Sequence, residues 1–437
     1  MGTRGTVAAL ARIARLDSAA RRAVGAAERL LSGVGRGEIL YLIGVAGHPN
    51  LGDELVLRIW LRHLARVRPT ATVVVDVAHV GEAALLFAGD HPRAVFVDTV
   101  WRLARAADEN PDLQEGTAAQ DWVAGAATDM RIAPGLAEGV DHLLRASSIH
   151  VIGGGYVNRQ WPQWFPVISA VAAVARRTGV PAYASGLGLL PLPDGADLDR
   201  FLDDAAAFAV FDVRDRPSYD ALRGVPGSSL TGDDVWLGLG TAAGRRGSGI
   251  GFGRAPSIPA QPGEVVLCMQ EDLAEGFARD GLTGAPALAA LARDVLDAWD
   301  VPGERVTVVE GIPGHDYTVP KLLGDRIDGA RIIPFLDVWR AGLPVGEGRT
   351  WISSRFHPHL LAAAAGDSGV AVVPKREYYD IKHGSLVDAG SRWTVVDDTS
   401  AIPARPVAGG FPAADRRANV ARKAALAERL YPRGGRD

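Results

Sequence analysis

A single cysteine stands among 437 residues, so no internal disulfide and no thiolate metal cluster can form within the chain. Cys268 lies in the apolar run Val265-Val266-Leu267-Cys268-Met269, where a thiol is expected to be structural and buried. Without a disulfide framework the expected compartment is reducing cytosol. An excess of charge of one sign is also missing. A formal net charge of −4 provides no basic domain of the kind that nucleic acid requires. No window holds the uninterrupted apolar stretch of about 18 residues that a membrane span needs. Residues 1–36 lack the separate apolar core of a secretory signal. Instead Arg4, Arg12, Arg15, Arg21, Arg22, Arg29 and Arg36 mix with Leu10, Ile13, Leu16, Val24 and Leu31 at helical spacing. Such a basic amphipathic helix suits docking on its own domain or peripheral contact with an anionic membrane face. Metal ligation is poorly provided for, because no His-x-x-x-His occurs and His357 and His359 diverge across a strand-to-helix turn. No metal is expected.

What the chain has in abundance is alternation. Its length implies two domains of roughly 200 residues each. Short β-branched runs recur at Glu38–Gly44, Thr72–Asp76, Ala94–Asp98, Ile149–Ile152, Pro181–Ser185 and Phe208–Val213, separated by helical segments such as Asp53–Arg66 and Phe165–Thr178. After a stretch crowded with Gly, Arg, Ser and Pro, the rhythm resumes at Glu264–Met269, Arg305–Val309, Arg331–Pro334, Trp351–Ser354, Val370–Pro374 and Trp393–Val396. Strand–helix–strand repetition predicts an α/β protein with two Rossmann-like, doubly wound domains facing a cleft. The expected division is a helix over 1–36, a domain over 37–240, a linker over 241–263, a second domain over 264–412, and a C-terminal helix and tail over 413–437. Residues 108–135, polar and Ala-rich, suit a loop or a short helical excursion.

Chemistry-bearing residues gather where strands end, the place where helix N-termini and loops converge on ligands in such folds. Gly44 to Glu54 joins the first strand to its helix and carries Gly47, Asn50, Gly52 and Asp53. Its glycines allow close backbone approach to an anion or sugar, while Asn50 also suits a simple N-cap with Asp53 or Glu54 satisfying first-turn N–H groups. No Gly-Lys-Ser/Thr follows and no register of Gly-x-Gly-x-x-Gly fits, which excludes the Walker loop and the dinucleotide fingerprint. Gly153, Gly154 and Gly155, then Gly186 and Gly188, follow two further strands. Arg214 closes another strand, placed to bind a carboxylate or phosphate in bidentate fashion or to pair with Asp212 or Asp215. Ser354-Arg355-Phe356-His357 brings a permanent cation and a titratable imidazole to a helix start. The local alternatives are a salt bridge across the cleft for Arg355 and an N-cap or core role for His357, since Pro358 fits a first helical position. Lys382, in Tyr379-Asp380-Ile381-Lys382, suits a phosphate contact or a solvated surface.

In this order the segments resemble the polysaccharide pyruvyl transferase family over roughly residues 38–400. The marks are Gly-x-x-Gly-x-x-Asn-x-Gly-Asp-Glu at 44–54, the triple glycine at 153–155, Gly-x-Gly at 186–188, Arg-Asp-x-x-Ser at 214–218, Ser-Arg-x-His at 354–357 and Tyr-Asp-x-Lys at 379–382. Departures are Phe356 where Leu is usual, His48-Pro49 in a loop that commonly holds small or aromatic residues, and a longer Lys375–Tyr379 stretch. The resemblance implies a GT-B-like fold, an acceptor-side N-terminal domain and a donor-side C-terminal domain. It implies phosphoenolpyruvate as donor substrate with no cofactor, and pyruvyl transfer to sugars of cell-envelope polysaccharides or their lipid-linked precursors. By position Arg214, Arg355 and His357 match residues that hold or act on phosphoenolpyruvate, and Lys382 matches a later family lysine. Two arginines from opposite domains would clamp the donor, His357 would act as general acid, and Asp53 would orient or deprotonate the acceptor hydroxyl. Gly47, Asn50, Gly52, the glycines at 153–155, 186 and 188, and Ser354 would line the substrates. Such an enzyme is expected in the cytosol, with peripheral contact at the inner membrane face. Two rivals share the architecture: a nucleotide-sugar glycosyltransferase, for which Glu310 is the candidate ribose ligand, and an inactive relative that binds a glycan or partner.

Overall fold

Two parallel sheets, each wound in the same order, organise the chain. The computed structural model describes residues 37–240, 261, 263–346 and 348–433. The helix expected over 1–36, most of the 241–263 linker and the last four residues lie outside the described residues. The first sheet comprises β1 (Ile39–Ile43), β2 (Thr72–Asp76), β3 (Ala94–Val97), β4 (Ser148–Val151), β5 (Ala182–Leu187), β6 (Val210–Val213) and β7 (Ser228–Leu230) in the order β3-β2-β1-β4-β5-β6-β7. The second contains β8 (Val265–Cys268), β11 (Val306–Val309), β12 (Arg331–Ile333), β13 (Thr350–Ser353), β14 (Ser368–Val372) and β15 (Thr394–Val396) in the order β12-β11-β8-β13-β14-β15. A small antiparallel hairpin, β9 (Ala278–Arg279) with β10 (Leu282–Thr283), stands apart. Both large sheets are parallel throughout.

The strands read as apolar runs because helices cover both faces of each sheet. β4, β6, β8, β11, β13 and β14 are buried at every position. The helix Leu51–Val67 begins two residues before its expected start and buries Val56, Trp60 and Leu64 on one face. Each such side chain contributes about 1.5–3 kcal/mol of burial free energy. Residues 108–135 resolve the two readings in favour of an excursion, with a helix at Ala118–Ala126 packed on Phe165–Thr178. One hydrophobic cluster runs from one half to the other, joining Trp60 and Leu61 to Trp339, Phe356 and Leu360.

Polar contacts fix the halves against each other. Leu51 N–H donates to Gly311 O at 2.9 Å. Arg58 lies over the Trp339 ring at 3.3 Å and pairs with Asp90 at 3.0 Å. The C-terminal helix Ala413–Leu430 crosses back to the first sheet, where the buried Lys423 Nζ donates to Asp212 and Asp234, each at 2.9 Å. In each sheet the strand order reverses direction beside its first strand, between β1 and β4 and between β8 and β13. Loops part at these switch points and leave a crevice at the carboxyl ends of the strands.

Candidate active site

The crevice is a cavity of about 400 Å³ walled by the loops that the two switch points predict. From the first half come Asn50 to Asp53 after β1, Gly155 and Tyr156 after β4, and Arg214 after β6. From the second come Asp272 after β8, Arg355 and His357 after β13, and Tyr378, Tyr379 and Lys382 after β14.

The start of the Leu51–Val67 helix carries two roles at once. Asn50 Oδ1 accepts the Gly52 N–H at 3.2 Å as the N-cap, while its amide donates to Asp53 Oδ2 at 2.8 Å. The cap therefore also aims Asp53. Burial raises the Asp53 carboxyl above its ordinary range, against the opposing pull of His357, Lys382 and Arg214. Glu54 turns back to accept the Gly47 N–H at 2.9 Å, and its burial pushes its pKa up to about 8. Gly52 packs directly against His357 of the other half. A methyl there would sit 2.5 Å from His357 Cγ and nearer still to Nδ1, so only glycine leaves room for the imidazole.

Across the cleft, the helix Phe356–Ala365 starts with Arg355 as its N-cap residue and Pro358 as its third member. Pro358 was expected at the first helical position with His357 as cap. His357 instead sits inside the first turn and makes no cap hydrogen bond. Its Nε2 faces Asp233 Oδ2 at 3.6 Å, beyond hydrogen-bond length, and its Nδ1 faces Gly52. Asp233, in the loop after β7, also lies 3.7 Å from Arg214 Nη1. Burial pushes the Asp233 carboxyl upward, but the His357 charge and contact, with Arg214 behind them, hold it down at about 2. It is ionised at any neutral pH and sets a negative charge beside the imidazole Nε2.

The two arginines differ sharply. Arg355 makes its salt bridges within its own half rather than across the cleft. It donates to Asp316 Oδ1 at 2.9 and 2.7 Å and to Asp272 at 3.1 and 2.5 Å. Burial disfavours its charge, but Asp316, Tyr379 and Asp272 more than compensate. Among the described residues Arg214 has no hydrogen-bonded carboxylate, with Asp233 at 3.7 Å. Asp215 stands 3.9 Å away, Asp212 is taken by Lys423, and the Arg214 Nε has no hydrogen-bond acceptor. Its guanidinium lies over the Phe356 ring at 4.5 Å, the apolar change from the usual leucine. Lys382 is only partly exposed and belongs to the cavity wall rather than to open surface, with Nζ 3.7 Å from the Tyr378 ring centre. Burial, then Arg214, hold its pKa well below that of an ordinary lysine, while Asp53 opposes the shift.

Of the expected site residues, Asn50, Gly52, Asp53, Gly155, Arg214, Arg355, His357 and Lys382 meet at the cavity. The others stand behind it. Gly153 and Gly186 leave space for Asp234, Gly188 for Arg214 and Gly154 for Tyr156, while Gly47 approaches the His79 carbonyl. Ser354 Oγ accepts the Gln270 N–H at 2.8 Å and so shapes the loop that carries Asp272. Glu310 is occupied by the N–H groups of Gly314 and Phe335, at 2.9 and 2.8 Å. Asp233, Asp272 and Asp316 escaped the sequence reading. The Asp233-Asp234 pair at a strand-to-helix turn, next to Gly232, was the available signal for the first. Among the described residues no group of three or more His, Cys, Asp or Glu is arranged to hold a metal ion, and no helix is long and apolar enough to cross a membrane.

Two parallel doubly wound sheets with a ligand crevice between their switch points define a GT-B-type, two-domain α/β protein. A protein from Listeria monocytogenes assigned to the UDP-N-acetylglucosamine 2-epimerases shares this fold with a TM-score of 0.50 at 10% identity, covering 91% of this chain and 93% of that one. A glycosyltransferase from Rickettsia africae is similar with a TM-score of 0.49 at 10% identity, over 91% of this chain and 100% of its own. The UDP-GlcNAc 2-epimerase of Neisseria meningitidis follows at 0.47 and 10%, over 91% and 94%. No curated protein matches the sequence. The model of the polysaccharide pyruvyl transferase family matches residues 50–372, and the chain belongs to that family.

Proposed function

We propose that the protein transfers the pyruvyl group of phosphoenolpyruvate to hydroxyls of a sugar in a cell-envelope polysaccharide or its precursor, releasing phosphate. The observation that carries this reading is the convergence of Arg214, His357 and Lys382, from both halves, on one cavity with Asp53. A small substrate bearing both carboxylate and phosphate needs several cations within a short span, and Arg214 is held without a hydrogen-bonded carboxylate of its own. Arg355 then serves chiefly to build the wall, through Asp272 and Asp316, and offers a ligand only the remainder of its charge.

The proton chemistry follows. His357, held between Asp233 and Gly52, delivers a proton to the enol methylene carbon, forming a C–H bond and leaving a cationic C2. An acceptor hydroxyl attacks C2, and its proton passes to Asp53, whose carboxyl is made more basic by burial than an ordinary aspartate's. The C2–O bond to phosphate then breaks, and a second hydroxyl closes the ketal. Its proton leaves with phosphate, while that held by Asp53 returns to solvent and His357 is reprotonated. We place the reaction in the cytosol, with residues 1–36 as a peripheral contact to a membrane that carries a lipid-linked acceptor.

The test is phosphate release from phosphoenolpyruvate in the presence of candidate glycan acceptors. Acceptor-dependent release that is lost in folded Arg214→Met and His357→Ala variants supports the reading. Tight binding of a nucleotide sugar with no response to phosphoenolpyruvate would overturn it. The engagement of Glu310 by backbone N–H groups gives that glycosyltransferase alternative no support.

A further inference from the structure

Trp161 is the most exposed of the chain's ten tryptophans, at 36%, and it stands on the wall of the active-site cavity. Seven of the other nine are buried, so this indole leaves open to solvent an apolar face that most of the others cover. The loop that presents it is firmly held. Asn158 donates to Gly155 O at 2.9 Å and accepts the Gln160 N–H at 2.9 Å, and Trp161 N–H donates to Asn158 O at 2.9 Å. Gln160 is bound by Lys375 from the opposite half. Also on the cavity, Trp164 packs edge-on against Trp101 at 4.8 Å, and Trp101 against Tyr156 at 5.6 Å, while Trp161 has no ring partner among the described residues. The cavity lining thus joins the cationic side chains Arg214 and Lys382 with the indoles of Trp161 and Trp164 and the exposed rings of His48 and His315.

We propose that Trp161 is the stacking platform for a pyranose ring of the acceptor. The apolar C–H face of a sugar fits an indole face, while ring hydroxyls require polar partners at the edge, here His48, His315 and Asn50. Phosphoenolpyruvate is matched by the cations and fills only part of the space, so the remaining volume beside the tryptophans falls to the acceptor. The assignment rests on the pyruvyl-transfer reading and gives it a place for the second substrate.

The full chain is studied with phosphoenolpyruvate present, by saturation-transfer NMR with the methyl pyranosides of glucose, galactose, mannose and N-acetylglucosamine. At least one is expected to bind with contact at C–H protons of a single ring face. Its affinity falls about five- to tenfold in Trp161→Ala and is largely kept in Trp161→Phe. The surface position of Trp161 keeps the variants folded, which unchanged melting temperatures verify. Equal affinity in Trp161→Ala, binding of no pyranoside by the parent chain, or uridine occupying the indole in its place each overturns the proposal. Phosphate release separates the two ideas. Release that ignores Trp161→Ala sinks the platform alone. A pyranoside held by Trp161 with no turnover of phosphoenolpyruvate upholds the platform and sinks pyruvyl transfer.

Discussion

Gly52→Ala isolates the contact on which the proposed acid depends. The added methyl would lie 2.5 Å from His357 Cγ and closer to Nδ1, so the imidazole must retreat by roughly 1 Å or more to reach ordinary van der Waals distance. A misplacement of about 1 Å in a reacting group costs on the order of a hundredfold in rate. The fold itself is less affected. Gly52 is the second residue of the helix, and alanine gains about 0.8–1 kcal/mol in helical propensity against whatever strain the contact leaves. The expected result is acceptor-dependent phosphate release lowered about a hundredfold, with a melting temperature within a few degrees of the parent. A double-mutant cycle supplies the refutation. If Gly52 acts only by seating His357, Gly52→Ala costs almost nothing once His357→Ala is present. Full additivity of the two losses, or near-normal activity in Gly52→Ala, would refute the role assigned to His357.

Three further outcomes follow from the same geometry. Asp233→Asn keeps the shape but removes the charge that faces His357 and Arg214, and is expected to lower kcat about ten- to hundredfold. An unchanged pH–rate profile would count against it as the orienting group. Glu54 has its folded pKa raised from 4.5 to about 8, so its contribution to stability is full below pH 4.5 and is lost as pH rises towards 8. Glu54→Gln, which can still accept the Gly47 N–H, should flatten the fall in unfolding free energy between pH 5 and 8 by up to about 1.4 kcal/mol per unit. A fall as steep as the parent's disproves the assignment. Lys423→Met leaves Asp212 and Asp234 buried without their cation and should cost about 3–5 kcal/mol in denaturant unfolding. Adding Asp212→Asn should restore part of that loss, and no restoration would deny the pairing.

Most of the architecture was legible because parallel strands covered on both faces write themselves as apolar β-branched runs, such as Thr72–Asp76. Their ends identified the loops of the site, since the fold brings the carboxyl ends of strands to one edge. The partners of those loops were another matter. Arg355 read as half of a clamp because no spacing relates it to Asp272 and Asp316, which lie 83 and 39 residues away and approach only when β8, β11 and β13 align. Lys382 read more readily as a surface lysine, because its place in the cavity wall comes from the opposite half and from Tyr378, whose hydroxyl donates to Gly155 O at 2.7 Å. The glycines divide for the same reason. Gly52 and Gly155 reach the cavity, whereas Gly153 and Gly186 make room for Asp234, a carboxylate that also accepts from Trp60 at 2.7 Å, Ser185 at 2.6 Å and Lys423. That buried network lies directly behind Asp233, the next residue in the chain.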